Sequence, residues 1–405
     1  MSCEYPLEEI AVGTTVFSGF AFKSNDFSEE GIPVVKIKNV NNRVVDLSGV
    51  QYFPENKVSD KHTNFFLQDK DVLIAMTGQG SVGRVGRIRL NEGQKVLINQ
   101  RVGKFVVDEK NLNQDYLYYV LSSPIYEQIL FDTGTGSGQP NLSPKLILQT
   151  EIPLPPYDIQ RKIGKILSTL DEKIYLNIQM NQIIEKIAQT IFKHWFIHFE
   201  FPKEDSNPYK SSGGELVYSD LGKIPKNWKV TNLGDIISIT SGKRPEKKSD
   251  SKNENFPVPL IGSSSLMGFV KKSLYNVPIL VIGRVGTLGI VQRILPPSFP
   301  SDNTLVIKSK YYEFVYQTLK RIDYESLNVG TTQPLITQKS IKQHEIVIPP
   351  QNLLKQYEEI SSKLFLKLEA NKHETIYLSE IRDSLLPKFI SGKLKLKLSK
   401  EAITK

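Results

Sequence analysis

The sequence predicts an α+β fold in which two β-rich heads alternate with two long helices, the helices pairing as an antiparallel coiled coil about a pseudo-twofold axis. Three observations predict it: an internal repeat, two heptad-patterned stretches entered through proline pairs, and short apolar runs between turn residues. The repeat comes first. Gln139-Pro140 recurs as Gln333-Pro334, a shift of 194 residues. The same shift places Glu151-Ile152 on Glu345-Ile346, Pro155-Pro156 on Pro349-Pro350, Leu170 on Leu364 and Ile187 on Ile381 without a gap. Chance does not keep that register, and a long-period repeat of this kind marks a duplicated architecture. Upstream the copies are looser: Ser18-Gly19 parallels Ser241-Gly242, and Leu73-Ile74 through Gly80-Ser81-Val82-Gly83 parallels Ile279-Leu280 through Gly286-Thr287-Leu288-Gly289.

Each helical stretch follows from its own residues. Pro155-Pro156 forces an extended approach, Asp158 suits an N-cap, and the helix is predicted over Ile159–Phe199. Ile163, Leu170, Ile184 and Ile191 form one line of a heptad, and Ile166, Met180 and Ile187 the other. The second copy supplies Tyr357, Leu364, Leu378 and Leu385, with Ile360 and Ile381. A helix of about 40 residues spans roughly 60 Å, too long for one globular core, so it needs a partner. Asn177 and Asn371 occupy equivalent mid-helix positions, where a buried Asn fixes register at a cost in stability; two unrelated exposed asparagines are the other reading.

The heads show strands at Val34–Ile37, Asp71–Ile74, Val96–Ile98, Pro278–Ile282 and Thr304–Ile307, with a short helix at Asp115–Ser122. Phe201–Gly214 carries the Pro, Asn, Ser and Gly of a linker.

Composition narrows the function classes. The formal net charge of +9 favours a polyanionic partner, nucleic acid first. No apolar run approaches the ~18 residues of a membrane span. A single cysteine, Cys3, excludes an intramolecular disulfide and fits a reducing cytoplasm.

Catalytic signatures fail on inspection. Gly134-Thr135-Gly136-Ser137-Gly138 has a cofactor-loop rhythm but runs into Gln139-Pro140-Asn141 instead of a helix. Leu154-Pro155-Pro156-Tyr157 imitates an adenine-methyltransferase motif, yet leucine cannot hydrogen-bond the target amine, and the second copy reads Ile348-Pro349-Pro350-Gln351. No phosphate-binding GxxxxGK[ST] loop is present. His194 and His198, four apart among Phe192, Trp195 and Phe196, are assigned to packing and not to a metal.

The candidate DNA-contacting groups sit near head turns. Gln79, Ser81, Arg84 and Arg87 lie among glycines that let a backbone approach phosphate, and Arg284 and Thr287 do so in the other head. Gln100, Arg101 and Asn303 carry amide and guanidinium groups suited to base edges. Lys36 lies in the first predicted strand and Lys38 just after it, while Lys243, Arg244, Lys247 and Lys248 form a basic loop suited to phosphate. Each taken singly is equally readable as a solvated turn charge.

Three segments carry a family resemblance. Glu151-Ile152-Pro153-Leu154-Pro155-Pro156 with Ile159-Gln160, then Leu221-Gly222-Lys223-Ile224-Pro225-Lys226-Asn227-Trp228, then Leu386-Pro387-Lys388-Phe389-Ile390-Ser391-Gly392-Lys393-Leu394, resemble the specificity subunits of type I restriction-modification systems. The second copy departs in having Leu354 where the first has Gln160. The resemblance implies a target-recognition domain over residues 1–156 and a spacer helix over 157–200. A linker with the second target-recognition domain would cover 201–350, and a C-terminal spacer helix and tail 351–405. It implies a non-catalytic cytoplasmic subunit binding a split, asymmetric site in double-stranded DNA. Two modification subunits carrying S-adenosylmethionine would dock on it, with restriction subunits using ATP and Mg, and no cofactor in this chain. A fused methyltransferase or nuclease, and a non-specific basic coiled-coil protein, are the competing readings.

Overall fold

The computed structural model describes residues 4–135, 140–286, 288–330 and 333–396. Cys3, the run 136–139 and Thr287 lie outside them. The chain divides into two units, one of residues 1–177 and 373–405, the other of 178–372. Each unit therefore holds one head, one half of each long helix and its own core.

The first unit contains strands β1 (Leu7–Glu9), β2 (Thr14–Ser18), β3 (Ile32–Val35), β4 (Arg43–Val44), β5 (Gln51–Phe53), β6 (Val72–Ala75), β7 (Val85–Arg87), β8 (Leu97–Ile98), β9 (Val102–Val107) and β10 (Glu151–Pro153). Its helices are α1 (Gln114–Leu121), α2 (Pro124–Gly134), α3 (Pro144–Leu148) and the start of α4 (Tyr157–Phe196). A five-stranded sheet in the order β2-β9-β6-β7-β4 is accompanied by β5-β3-β8, in which β3 and β8 run parallel, and by the pair β1-β10.

The second unit repeats this plan. Its strands are β11 (Leu216–Ser219), β12 (Gly222–Pro225), β13 (Lys229–Asn232), β14 (Ser238–Ser241), β15 (Val258–Ile261), β16 (Leu266–Val270), β17 (Ile279–Gly283), β18 (Val291–Ile294), β19 (Phe299–Pro300), β20 (Thr304–Lys308) and β21 (Glu345–Ile348). Its helices are α5 (Tyr312–Leu319), α6 (Gln338–Lys342) and the start of α7 (Gln351–Ile390). The sheet β14-β20-β17-β18 matches β2-β9-β6-β7. The sheet β16-β15-β19 matches β5-β3-β8, again with one parallel pair, and β13-β21 matches β1-β10.

Hydrogen bonding fixes the equivalence more finely than sequence. Ala75 faces Val102 and Gly283 faces Thr304 at the same point of the two sheets. Strands β6 and β17 are thus related by 208 residues, two more than the sequence comparison of Leu73-Ile74 with Ile279-Leu280. A slip of two keeps every side chain on the same face, so hydrophobic pattern alone does not detect it.

Both long helices begin straight after the second proline of their pair. The Pro156 carbonyl accepts the N–H groups of Ile159 and Gln160, and Pro350 does the same for Leu353 and Leu354. In the first unit Arg382 of α7 meets Asp171 of α4 at 2.6 Å, and Asn177 donates to Glu374 at 2.9 Å. Rising numbers on one helix against falling numbers on the other make the segments antiparallel. In the second unit Asn371 donates to Asn181 at 2.9 Å, and Phe192 and Phe196 pack on Tyr357. Asn177 and Asn371 are both buried, at 4% and 2% exposure, which removes the reading as exposed residues.

The buried helix face differs from the two-line heptad. Ile163, Leu167, Ile184, Ala188, Tyr357, Phe365 and Leu368 are buried, but Ile166, Met180, Ile187, Ile360 and Ile381 are exposed. The reason is that the helices do not pack only on each other. Ile159, Ile163 and Leu167 join one core with Tyr116, Tyr119 and Ile152 of the first head. Leu354, Tyr357 and Phe365 join another with Phe314, Tyr316 and Ile346 of the second. Three further expectations are corrected. His194 and His198 are exposed, while Trp195 and Phe196 beside them are buried. The stretch 201–214 is not a free linker: Phe201 stacks on Tyr209 and packs on Trp228, and Glu200 accepts from the Ser211 N–H. Helix α4 also starts two residues before the predicted Ile159 and ends at Phe196.

The two units solve one problem in opposite ways. Helix α1 is capped by Asn113, whose side chain accepts from Tyr116 N–H, and Gly164 of α4 lies so close that a Cβ would sit 2.7 Å from that Asn113 oxygen. Helix α5 has no such cap. Glu358, at the repeat position of Gly164, accepts the N–H groups of Glu313 and Phe314 at 3.1 and 2.8 Å. Burial pushes the Glu358 carboxyl up to about 7 despite those bonds. An acid raised from its usual 4.5 makes the folded state bind the extra proton between those values, so its contribution falls as pH rises from about 4.5 to 7. Glu358→Gln keeps an acceptor and removes the titration. The stability of wild type relative to this variant is expected to drop by on the order of 2 kcal/mol between pH 5 and 8, read from urea melts across that range; parallel curves would refute it.

Candidate nucleic-acid interface

Three chain crossings meet at one end of each main sheet. In the first head, Gly19 N–H donates to Val102, Met76 N–H to Arg101, and Gln100 N–H to Phe20. The turns after β2, after β6 and between β8 and β9 are thus bound to one another. In the second head, Gly242 N–H donates to Thr304, Lys243 N–H to Pro300, and Arg284 N–H to Asn303. The crossings are so tight that a Cβ on Gly19 would lie 2.4 Å from the Ile98 carbonyl oxygen, and one on Gly242 would lie 2.1 Å from that of Ser301. Glycine at this pair of equivalent positions lets the turns approach each other.

This end gathers many of the sequence candidates. Gln79 is exposed and Ser81 and Arg84 half-buried on the turn after β6; Gln100 and Arg101 are exposed on the neighbouring turn. Lys36 and Lys38 follow β3, whose Val35 carbonyl accepts the Asn99 N–H, so they border the same surface. Lys36 lies 3.6 Å over the Phe27 ring and donates to Gln51. Burial, then the Lys38 charge, lowers its pKa from the ordinary value. In the second head Lys243, Arg244, Lys247, Lys248, Arg284 and Asn303 are all exposed, with Lys248 paired to Asp250 at 3.7 Å. Among the described residues Arg101, Lys243 and Arg284 enter no ion pair. Loosely held cations beside amide side chains form a surface able to neutralise phosphates while leaving hydrogen-bonding groups free for bases.

Arg87 is a correction. It is 5% exposed, its guanidinium 2.7 Å from the Asp115 carboxylate and stacked 3.9 Å from the Tyr118 ring. Its equivalent is Arg293 on β18, 11% exposed and 2.6 Å from Glu313 of α5. Both arginines fasten a strand to the short helix above it. Gly83 also serves packing: a Cβ there would lie 2.8 Å from the Phe131 nitrogen of α2.

The sequence reading missed Ser263, Ser264 and Ser265. They follow β15, the counterpart of β3, and the Gln292 amide holds their turn through the carbonyls of Gly262 and Ser263 at 2.8 and 3.2 Å. A serine run carries no charge signal; only strand equivalence brings it to this surface.

Comparison with known proteins fits this geometry. Residues 5–187 and 225–378 match the model of the type I restriction modification DNA specificity domain, one match for each copy. The chain belongs to that family. Among the specificity subunits it resembles are that of the type I restriction enzyme MjaIX of Methanocaldococcus jannaschii, 31% identical over 72% of this chain and 71% of that one, and that of HindI of Haemophilus influenzae, 24% identical over 72% and 80%. The crystal structure of the type I restriction-modification S subunit from M. genitalium superposes with a TM-score of 0.64 at 18% identity, covering 98% of this chain and 97% of that one. The specificity-subunit role is one of DNA recognition without catalysis. Among the described residues no helix is long and apolar enough to cross a membrane, and no cluster of three or more metal-type side chains occurs.

The contrast between two arginines of this specificity subunit is measurable. Arg87→Met removes the partner of Asp115, itself 36% exposed, and the stack on Tyr118, and is expected to cost about 1–2 kcal/mol of stability. Arg101→Ala is expected to stay within about 0.5 kcal/mol of wild type. Thermal melting of the two purified variants checks both values.

Proposed function

We propose that this specificity subunit reads a bipartite, asymmetric DNA site, each head taking one half through the turns gathered at the end of its main sheet. The observation that carries the reading is the repeat of one scaffold with two different sets of exposed groups. Gln79, Gln100 and Arg101 stand on the first; Lys243, Arg284 and Asn303 stand on the second. Identical readers would specify a symmetric site; dissimilar readers on matching scaffolds specify an asymmetric one.

In this reading two modification subunits dock on the chain, bring S-adenosylmethionine and methylate adenine. Restriction subunits add ATP- and Mg-dependent translocation and cleavage, and the complex works in the cytoplasm. Exposed apolar residues recurring at the repeat distance support docking of a partner in two copies: Ile166 with Ile360, Ile183 with Tyr377, and Ile187 with Ile381. Solvated apolar groups in matched places on two helices have no role in either core.

Genome-wide adenine methylation, in cells supplying the cognate modification subunit with and without this chain, tests the reading. A two-part, gapped methylated motif is expected only when the chain is present; its persistence without the chain, or its absence with an assembled complex, refutes it. Within the assembled complex, Lys247→Ala is expected to weaken binding to all duplexes alike and to reduce the slope of log K against log salt by about 1. Arg101→Ala is expected to relax preference at one base pair by about 1–3 kcal/mol, read from competition binding with single-substituted sites.

A further inference from the structure

Beyond the apolar core they share and the two hydrogen bonds to Glu358, the second head meets α7 through one arginine. Arg293, 11% exposed on β18, lies 2.6 Å from Glu313 in its own head and 3.8 Å from Glu369 on α7. Its guanidinium also stacks 3.8 Å from the ring centroid of Phe365, again on α7. Among the described residues Arg293–Glu369 is the one ion pair between this head and a long helix. The first head is fastened differently. Arg89 and Lys70 both bind Glu172 of α4, at 2.6 and 3.1 Å, Arg89 lies over the Tyr175 ring, and Arg43 reaches Asp383 of α7 at 2.6 Å.

The second head lacks that set of ties at the matching positions. Leu295 stands at the place of Arg89, two residues after the equivalent arginines, and Leu366 stands at the place of Glu172 on the helix repeat. They are 42% and 70% exposed and border an open groove of about 740 Å³ between sheet and helix. Two largely solvated leucines at the groove's edge set no angle, whereas a guanidinium stacked on Phe365, with Glu313 at 2.6 Å and Glu369 at 3.8 Å, has a fixed plane.

We propose that Arg293, acting through Phe365 and Glu369, is the positioning residue that sets the angle of the second head on α7 and so fixes the gap the subunit accepts between half-sites. The inference rests on the bipartite reading above. Without the tie, the head shifts on the core it shares with α7, the turns that read bases stay intact, and half-sites at neighbouring separations become acceptable. A residue with only a general structural role would lower methylation at every site equally. A positioning residue changes which gap is methylated.

The test uses the assembled modification complex on a plasmid library in which the two half-sites are separated by the wild-type gap and by one base pair more or less. Glu369→Gln removes the pairing charge on the helix while leaving the Arg293–Glu313 pair inside the head. Arg293→Lys keeps charge and loses the stacked plane. For both, methylation at the altered gaps relative to the wild-type gap is expected to rise about tenfold or more, with unchanged half-site sequences. Lys372→Met, which removes only the exposed partner of Glu369 on the same helix, is expected to behave as wild type. Glu369→Gln that melts as wild type and keeps a single sharp gap overturns the inference, as does a uniform fall in methylation at all gaps. A wild-type complex that methylates no two-part motif overturns the bipartite reading itself, and this inference with it.

Discussion

The structure depends on how the long helices bury their apolar faces, because neither helix has enough partners without a head. In each unit a short helix, α1 or α5, lies against the main sheet, and the long helices cover it. Tyr116, Leu117 and Val120 of α1 are fully buried, and so are Phe314, Val315 and Leu319 of α5. At roughly 1.5–3 kcal/mol for each large apolar side chain removed from water, this layer is the main source of cohesion between head and helix. Polar groups inside it must therefore be paired. Arg87 and Arg293 meet part of that demand by combining a carboxylate from the short helix with aromatic rings, while the Nε–H of each finds no hydrogen-bond acceptor. An ion pair in this position does little for net stability compared with a pair of apolar residues of similar shape, but it has one geometry.

That arrangement explains which parts of the fold were legible in the sequence. The helix repeat was readable because sheet, short helix and long helix meet at the same helix positions in both copies: Ile163 and Tyr357, Asn177 and Asn371, Phe192 and Leu386 are buried alike. The short helix at 115–122 and the central strands were readable from local pattern. The second heptad line was misleading. Ile166, Met180 and Ile187 have coiled-coil spacing, but the faces of α4 that become buried are chosen by the heads, which a periodicity along one segment does not report. The register of β6 against β17 failed for a related reason, since a shift by two residues preserves inside and outside.

The candidate interface was legible only where charge marked it. Lys243, Arg244, Lys247, Lys248 and Arg101 stand out in a basic chain and do lie exposed. Arg87 looked the same in sequence, as an arginine beside glycine, and lies in the interior. What separates Arg87 from Arg84 is a place within β7 together with Asp115, 28 residues away in sequence and 2.7 Å away in space. Ser263–Ser265 show the converse: they border the surface because β15 is the counterpart of β3, a fact that exists only once the sheets are built. Local composition identifies solvated cations well and cannot separate a neutral reader from a neutral loop.

The two copies also show how a duplicated scaffold diverges without losing its form. The changes come in compensating sets. Gly164 gives α4 room beside the Asn113 cap; Glu358, at the same place in the other copy, supplies the cap itself and the capping asparagine is gone. Arg89 with Glu172 becomes Leu295 with Leu366, an ion pair giving way to two leucines that line one groove. In the capping exchange, one half alone would leave two N–H groups at a helix start without an acceptor, at roughly 1–3 kcal/mol for each unsatisfied group. Such pairs must change together, whereas exposed turn residues such as Gln79, Arg101, Lys247 and Asn303 have few partners to satisfy and change singly. The physics of burial thus holds the scaffold of both heads in common and leaves the exposed turns, the proposed reading surface, as the part free to differ.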